Sequence, residues 1–376
     1  MKRHTLLSAG TPLLVAAGAV FALGDLNPPA GSVTATGKRL TELEPRIAIN
    51  ATNTPGDADS VFRIAQPGSY YLTGNITGVV GKHGIEIAAS NVSLDLNGFV
   101  VDGGGLIGAL DGIRTSSSGL AALTITNGKV SNWSGDGIDL ATFLSNSSLV
   151  ERVEAIGNGA NGMNIGGASV VDRCTAKSNG ARGFESFNGC SVSNCTSSAN
   201  VLNGFSLGSS NFVNACVASA NGSTGLSVGF DSTIRDCVAS GNTQSGITGS
   251  YSSILDCTAN LNGSNGIVIS TACIVRGNTC SSNCTAVSGA GIAVLGSDNR
   301  VEDNNCTQHN NLSRGIDVNG TGNIIVRNTC SGNATNWDVV AGNTILVVQG
   351  TSAGAVLGNT GGAAPGSTDP NANFSY

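Results

Sequence analysis

Two aspartates that lie one repeat apart form the best carboxylate pair in the sequence. Asp236 and Asp256 each precede a cysteine directly, and Arg235 stands beside the first of them. Glycoside hydrolysis uses two carboxyl groups about 5 to 5.5 Å apart for retention, or about 6.5 to 9.5 Å apart for inversion. If both aspartates share a column on neighbouring coils, they could protonate and attack a glycosidic bond, or hold a calcium ion. The alternative is a set of solvated surface charges that form weak ion pairs.

A second carboxylate pair and one histidine are further candidates for acid–base chemistry. Asp139 and Glu185 fall in another column of the repeat, two coils apart, and therefore nearer the spacing of inverting glycosidases. His309 stands where most repeats carry asparagine, unless Asn310 takes that ladder position and His309 is displaced. Histidine can act as a general base near neutral pH, but beside an insertion in the repeat the plainer interpretation is a replacement of asparagine.

Three phenylalanines are the candidates for contact with sugar rings. Phe187, Phe212 and Phe230 could line an exposed groove, whereas Phe184 and Phe205 replace core residues of the repeat. Aromatic residues make up only 4% of the chain, so few other rings are available for this role.

The eleven cysteines predict stacked free thiols rather than a disulfide framework. Stacked strands lie about 4.8 Å apart, whereas a disulfide needs Cβ atoms about 3.8 Å apart that lean together. One column holds a cysteine in each of five successive repeats, at Cys174, Cys195, Cys216, Cys237 and Cys257. Three more point inward two places later, at Cys280, Cys306 and Cys330. The candidates for a bridge or a reactive thiol fall outside both columns and are Cys190, Cys273 and Cys284.

A repeat that runs through most of the chain must position these residues. An apolar residue recurs nine times at a nearly constant spacing, at Val150, Val171, Val192, Val213, Ile234, Ile254, Val275, Val301 and Ile325. A small residue, cysteine or asparagine follows three positions later, and usually asparagine five positions after that. Asparagine at a corner bonds local backbone groups and stacks along the repeat, so we predict a structural ladder. Its members are Asn158, Asn179, Asn200, Asn221, Asn242, Asn262, Asn283 and Asn333.

The repeat also predicts the fold. A glycine opens an apolar–polar–apolar strand in each repeat, as in Gly204–Leu207 and Gly266–Ile269. Strands that return one coil later stack in parallel, and such crossovers are right-handed. The repeats are longer than the three hexapeptides of a left-handed β-helix. The sequence therefore predicts an all-β, right-handed parallel β-helix of roughly 11 to 12 coils at about 4.8 Å each, with three short strands per coil.

The two ends of the chain differ from the repeat. Residues 1–24 combine a basic start with an apolar stretch and predict a signal peptide, with an uncleaved anchor as the alternative. Residues 25–83 are interpreted as a linker and a cap over the first coil, and residues 84–349 as the β-helix. Residues 350–376 are rich in Gly, Ala, Ser and Asn and predict a flexible tail. The signal favours a secreted or cell-surface bacterial protein.

Composition excludes one class of partner and favours another. The formal net charge is −6 and the pI is about 5.0, so there is no basic surface for nucleic acid. Charged residues are only 11% of the chain. The flat faces of Ser, Thr and Asn offer neutral hydrogen-bonding groups that suit a polysaccharide.

The repeat template resembles that of the pectin-lyase-like superfamily, in segments such as Ile274–Thr279 and Val301–Asn305. Within it, the chain looks most like bacterial exported proteins with right-handed β-helix repeats. The resemblance implies the fold; the superfamily includes lyases, polygalacturonases, alginate epimerases, tailspikes and adhesins, so it leaves the activity open. The Arg-x-Pro-x-x-Arg run of the lyases, the full set of polygalacturonase motifs and the Asp-Pro-His-Asp of the epimerases are absent.

Three functions are compatible with these observations. The preferred interpretation is an exported, non-catalytic binding or structural module, directed toward polysaccharide and without a cofactor. The alternative is a polysaccharide lyase or glycoside hydrolase with divergent catalytic residues, which would need carboxylates or cations that converge in a groove. Self-association through the end strands is the third, and it would require weak capping of the stack. The sequence does not decide the oligomeric state.

Overall fold

The protein is described here by a computed structural model that covers residues 44–105, 108, 110–141, 147–310, 312–349, 356–358 and 369–376. Apart from Glu44 and Pro45, all of these residues belong to one compact unit, Arg46–Tyr376. The predicted signal peptide, and the predicted linker as far as residue 43, lie outside the described residues.

Within those ranges the secondary structure is all β, with 40 strands and no helix, arranged in two sheets. The 14-stranded sheet takes one strand from each coil: Ser60–Ile64, His83–Ile87, Ile113–Thr115, Ile138–Asp139, Met163–Ile165, Phe184–Ser186, Phe205–Leu207, Leu226–Val228, Ile247–Gly249, Ile267–Ile269, Ala290–Val294, Arg314–Val318, Thr335–Val339 and Val356–Gly358. The 26-stranded sheet comprises Ile47–Ala48, Gly68–Tyr71, Ile76–Thr77, Val92–Asp95, Val100–Asp102, Leu123–Ser131, Leu149–Ile156, Val170–Asp172, Thr175–Lys177, Ser191–Ser193, Thr196–Ser198, Phe212–Asn214, Val217–Ser219, Thr233–Arg235, Val238–Ser240, Ser253–Leu255, Thr258–Asn260, Ile274–Arg276, Thr279–Ser281, Arg300–Glu302, Asn305–Thr307, Ile324–Val326, Thr329–Ser331, Thr344–Ile345, Val347–Gln349 and Asn373–Ser375.

Both sheets are parallel, and each strand pairs with the equivalent strand of the next coil. In the regular coils, Val171 pairs with Val192 and Val192 with Val213, so residues one repeat apart lie directly above one another. Each regular coil contributes one strand to the 14-stranded sheet and two to the 26-stranded sheet. This arrangement confirms the predicted parallel β-helix and its three strands per coil.

The stack of coils extends further toward the N-terminus than the sequence predicts. The segment interpreted as a linker and cap contains the strand Ser60–Ile64, which pairs in parallel register with His83–Ile87. Fourteen strands in one sheet correspond to about 14 coils instead of 11 to 12. The repeat template does not detect the early coils, because their alternation of apolar and polar residues lacks the Cys and Asn columns that mark the later ones.

The last residues of the chain are part of the stack, and the predicted flexible tail is wrong for them. Val356–Gly358 pairs with Thr335–Val339 in the 14-stranded sheet. The final strand, Asn373–Ser375, lies between Thr329–Ser331 and Val347–Gln349 and pairs in parallel with both. The C-terminal strand therefore occupies a place inside the wall of the helix.

The core is a column of apolar side chains that the inward positions of every strand supply. Phe184 and Phe205 are buried as predicted, and their rings stack with centroids 4.8 Å apart. The glycine that opens each strand is required by close packing. At Gly225, for example, a Cβ atom would lie 2.6 Å from Asn242 Nδ2 and 2.7 Å from the backbone oxygen of Gly246.

The predicted asparagine ladder is present, and it satisfies the backbone at one corner of every regular coil. Asn221 Oδ1 accepts hydrogen bonds from the backbone N of Asn200 at 3.2 Å and from its Nδ2 at 3.0 Å. The next rung, Asn242 Oδ1, does the same for Asn221 at 3.1 and 3.0 Å. Such buried backbone groups need partners, so the ladder is a structural element and not a binding site.

All eleven cysteines are buried and free, as the stacked thiol columns require, and one assignment is corrected. Cys190, Cys273 and Cys284 form no bridge and are as inaccessible as the others. Cys273 stands in a second polar ladder, where its Sγ lies 3.5 Å from the backbone N of Ser252 and takes the place of an asparagine oxygen. Buried apolar thiols are inert, so the proposed reactive thiol is not supported at these positions.

His309 replaces asparagine in the main ladder, as predicted, and introduces a pH dependence. Its Nδ1 accepts a hydrogen bond from the backbone N of Asn283 at 3.2 Å, while the buried Nε2 has no partner within the described residues. Burial lowers the pKa of His309 to about 4. A protonated ring could not accept the Asn283 bond, because both nitrogens would then be donors.

We expect His309→Asn to make the protein less sensitive to acid. In the unfolded state this histidine has a pKa of about 6.5, so it takes up a proton at a higher pH than in the folded state, where its pKa is about 4. The free energy of unfolding therefore decreases as the pH falls from about 6.5 to about 4. The loss attributable to His309 is about 3 kcal/mol by pH 4. Urea unfolding of both proteins at pH 7.5 and pH 4.5 measures it, and an equal pH dependence in wild type and variant would contradict this assignment.

Candidate functional site

The pair Asp236 and Asp256 lies on an exposed corner of the 26-stranded sheet. Both residues have left-handed backbone conformation, with φ of 52° and 54°. Arg235 Nε lies 3.1 Å from Asp236 Oδ2 and 4.0 Å from Asp256 Oδ2, and all three side chains are about half exposed. Exposed ion pairs of this kind are screened by solvent and are typical of surface charges, so this geometry favours the surface-charge interpretation.

The three candidate phenylalanines do not lie together. Phe212 is in the 26-stranded sheet, whereas Phe187 and Phe230 follow strands of the 14-stranded sheet. All three are exposed. Phe230 has an aromatic partner that the sequence interpretation does not include: Tyr251, with ring centroids 5.6 Å apart in an edge-to-face arrangement.

A cluster of titratable side chains on the outer face of the 14-stranded sheet is the strongest candidate site. We call His83, Asp111, Arg114, Asp136 and Asp139 the acid–base cluster. They come from three successive coils, and the parallel register aligns them: Asp139 pairs with Arg114 on one side and with Asn164 on the other. This register also confirms the predicted column, since Asn164 pairs in turn with Glu185.

One half of the cluster is a network around His83. Its Nδ1 accepts a hydrogen bond from the backbone N of Asp111 at 2.8 Å and lies 3.3 Å from Asp111 Oδ2. Its Nε2 lies 2.9 Å from Arg114 Nη1. The imidazole is therefore held between a carboxylate and a guanidinium, in a fixed orientation at the start of a strand.

Asp111 and Asp136 occupy a corner position that Asn161 fills in the next coil. Asp111 Oδ1 accepts from the backbone N of Asp136 at 2.9 Å, and Asp136 Oδ1 accepts from the backbone N of Asn161 at 2.6 Å. Asn161 Oδ1 then accepts from the backbone N of Arg182 at 3.1 Å. Two carboxylates thus replace amides in a corner ladder, which leaves each with a second oxygen that the ladder does not use.

Burial changes the proton affinity of these carboxylates. It raises the pKa of Asp136 to about 7, and the nearby charges of Asp139 and Asp111 act in the same direction. Burial also raises the pKa of Asp139. Asp136 is only 9% exposed, so it exchanges its proton from a largely desolvated position. A carboxyl group that titrates near pH 7 can act as an acid or a base at neutral pH.

An open cavity of about 200 Å³ lies beside the cluster. Arg114 and Asp139 line it, together with the serine-rich segment Thr115–Ser118 and Ala141. Arg114 can bind an anionic group through its guanidinium, and the serine hydroxyls can bond to sugar hydroxyls. This cavity places the Arg114 cation, the Asp139 carboxylate and neutral hydroxyls around one small space, whereas Asp136 does not line it.

One signal in the sequence could have identified the cluster. Asp111 and Asp136 both precede the glycine of the strand template, at the position that Asn161 holds one coil later. His83 precedes Gly84 in the same way, but the sequence interpretation assigns residue 83 to the cap. In the described ranges, no group of three or more His, Cys, Asp or Glu side chains could hold a metal ion. The described residues also include no helix with the length and hydropathy of a membrane span.

Comparisons with known proteins identify the fold. No protein-family model and no curated protein sequence matches the chain. Among solved structures, it is similar to the A-module of the mannuronan C-5 epimerase AlgE4 of Azotobacter vinelandii, with 18% identity over 77% of this chain and 84% of that one, and a TM-score of 0.55. The A-module of AlgE6 from the same organism gives 17% identity over 88% and 87% of the two chains, and a TM-score of 0.50. The chain therefore has a parallel β-helix fold similar to that of these two modules.

Proposed function

We propose that this protein binds a polysaccharide that lies along the outer face of the 14-stranded sheet. The observation that carries the proposal is a continuous outward column of polar side chains, one from each of successive coils. In the register of the sheet it runs through Asn164, Glu185, Ser206, Ser227 and Thr248. Hydrogen-bonding groups at the spacing of the coils suit an extended polymer better than a compact ligand.

The similar structures support this proposal in a limited way. Both are named as modules of mannuronan epimerases, and mannuronan is a polysaccharide. At 17 to 18% identity the likeness concerns the fold. The ligand assignment for this chain therefore rests on the polar face itself. An extracytoplasmic location is part of the proposal and rests on the predicted signal peptide, which lies outside the described residues.

A second candidate function is polysaccharide cleavage or modification at the acid–base cluster. Asp136, with a pKa of about 7, and the neighbouring Asp139 can act as a proton donor and acceptor pair, while Arg114 can bind a carboxylate of an acidic sugar. Asp236 and Asp256 are both about half exposed, so their environments do not distinguish a proton donor from a proton acceptor. If the protein is an enzyme, we place its acid–base chemistry at the cluster.

One experiment separates the two functions. Purified protein is incubated with immobilised and soluble polysaccharides, neutral and acidic, and retention, new reducing ends and unsaturated uronate absorbance are measured together. The binding function predicts retention without product. Catalysis predicts product, with a rate that changes near pH 7 and is lost in Asp136→Asn.

The matched control for that experiment is Asp236→Asn, which makes the same replacement of aspartate by asparagine at an exposed position. Asp136→Asn should fold normally, because asparagine fills the equivalent position in the next coil, at Asn161. Product lost in both variants, or in Asp236→Asn alone, would contradict the assignment to the cluster. No retention and no product with any polysaccharide would overturn the proposed function.

A further inference from the structure

One corner of the helix is a residue shorter than its neighbours. Ser227 pairs with Thr248, and Thr233 pairs with Ser253. Thr233 lies six positions after Ser227, whereas Ser253 lies only five positions after Thr248. The corner between Thr248 and Ser253 is therefore one residue shorter than the corresponding corner of the preceding coil. The repeat shortens once within its regular part, at this coil, and the shorter chain leaves space at the surface.

A glycine enlarges that space. The inward column at the end of the 14-stranded sheet carries Leu207, Val228 and Ile269 in neighbouring coils, whereas Gly249 contributes no side chain. A Cβ atom placed on Gly249 would meet its nearest neighbours at 3.4 to 3.7 Å, which is ordinary van der Waals contact. The result is an open cavity of about 240 Å³.

The lining of this cavity is apolar at its base and polar at its rim, and it contains no charged residue. Val228 and Ile269 are buried and form part of the base. Thr248, Ser250 and Ser270 contribute hydroxyl groups. In the part of the chain that the structure describes, none of these three hydroxyls has a hydrogen-bond partner within the protein.

An aromatic pair stands at the edge of the cavity. Phe230 lines it and is 56% exposed, and Tyr251, one coil on, is 51% exposed. The two rings are nearly perpendicular, at 88°, so each supports the other by its edge while a ring face stays open to solvent. Large exposed aromatics beside a cavity, in a chain with 4% aromatic residues, mark a site for a ligand with an apolar face.

We propose that this cavity binds one neutral pyranose ring, and we call it the aromatic subsite. The inference rests on the proposed function and adds to it the position and the sugar class of one contact. The C–H face of a pyranose would lie against Phe230, and its hydroxyls would bond to Thr248, Ser250 and Ser270. An acidic sugar is disfavoured, because its carboxylate would lose water without gaining a cationic partner.

The subsite lies on the same face as the acid–base cluster but in a different coil. From the strand Ile138–Asp139 to the strand Ile247–Gly249 there are five steps along the 14-stranded sheet, or about 24 Å at about 4.8 Å per step. Thr248 belongs to the polar column of the proposed glycan track. A single extended chain can therefore contact both places, and the neutral subsite would select for polymers that carry at least one uncharged sugar.

The test uses the full-length protein and defined oligosaccharides of five to seven units, one neutral β-linked glucan series and one uronan series. Isothermal titration gives the affinity of the wild type, Phe230→Ala and Tyr251→Ala, with Phe212→Ala as the matched exposed control on the other sheet. Gly249→Leu fills the cavity while it retains both rings. We expect about a tenfold or greater rise in Kd for the neutral series in the three subsite variants, and less than about a twofold change in Phe212→Ala.

The outcomes separate this inference from the proposed function. If the wild type binds an oligosaccharide and the three subsite variants bind it equally well, the subsite is wrong while the proposed function stands. If the uronan series loses affinity in these variants as much as the neutral series, the sugar class is wrong. If the wild type binds no polysaccharide, the proposed function fails and the subsite fails with it. Thermal melting of each variant confirms that it is folded.

Discussion

We expect Asn242→Leu to destabilise the protein by about 2 to 6 kcal/mol, since it leaves two buried polar groups unpaired at about 1 to 3 kcal/mol each. Asn242 Oδ1 accepts from the backbone N of Asn221, and Asn242 Nδ2 donates to the backbone oxygen of Ala218, both at 3.1 Å. Leucine can make neither bond. Its branched side chain would also crowd the close approach at Gly225. A loss of this size is a large part of the whole stability of a typical folded domain, which is about 5–15 kcal/mol.

Asn214→Leu is the matched control for this prediction. Asn214 is half-buried on the outer side of a strand, where the same change of side chain disturbs no ladder, so we expect a change within about 0.5 kcal/mol. Urea unfolding, followed by the fluorescence of the buried Trp133 and Trp337, measures both variants. If the two leucine variants unfold at the same urea concentration, the side chains of the asparagine ladder contribute nothing to the free energy of unfolding.

Removal of residues 369–376 should unfold the last coils while the rest of the helix stays folded. Asn373 Oδ1 accepts from the backbone N of Asn328 at 2.8 Å and from its Nδ2 at 3.0 Å, and Ser375 Oγ accepts from Asn336 Nδ2 at 2.8 Å. Asn328 and Asn336 are fully buried. Without the final strand, these groups lose their partners and the stack ends in an open edge.

Hydrogen exchange locates this effect. In a solenoid each coil contacts mainly its neighbours. In the truncated protein, the protection of backbone amides from exchange should therefore fall in residues 324–349 and stay unchanged before residue 270. The single substitution Asn373→Ala should lower the local opening free energy by about 3 kcal/mol, and the exposed Asn371→Ala serves as its control. Uniform loss of protection along the whole chain would mean that the helix unfolds as one unit and that the last strand is not a local closure.

The regular coils could be predicted from the sequence because each structural requirement recurs in every repeat. The asparagine ladder, the inward cysteines and the glycine before each strand all respond to the same neighbours one coil away, so the pattern repeats with the contact. Cys273 shows where this reasoning fails. A single cysteine outside the main column shows no constraint in the sequence, but its sulfur takes an asparagine's place in a second ladder that only the register reveals.

The candidate sites depend on departures from the repeat, and these are harder to interpret from sequence alone. Asp136 differs from Asn161 by one atom type at an equivalent corner, and its raised pKa comes from burial among the neighbouring coils. The shortened spacing before Ile254 is visible in the sequence, but it becomes a cavity only because Gly249 lies in the inward column. The exposure of Asp236 and Asp256 is likewise not visible in the sequence, because the spacing of two carboxylates says nothing about their solvation.

The pairing of the strand Asn373–Ser375 has a consequence for the order of folding during synthesis. Most coils of this helix can close as soon as the next repeat has left the ribosome, because their partners are near in sequence. The coil that contains Thr329–Ser331 is different, because Thr329 pairs with Phe374, which lies 45 positions further along the chain. Its closure must therefore wait until residues 373–375 have been synthesised. Until then the coil exposes a parallel edge that a second copy could pair with, so this strand also protects against assembly end to end.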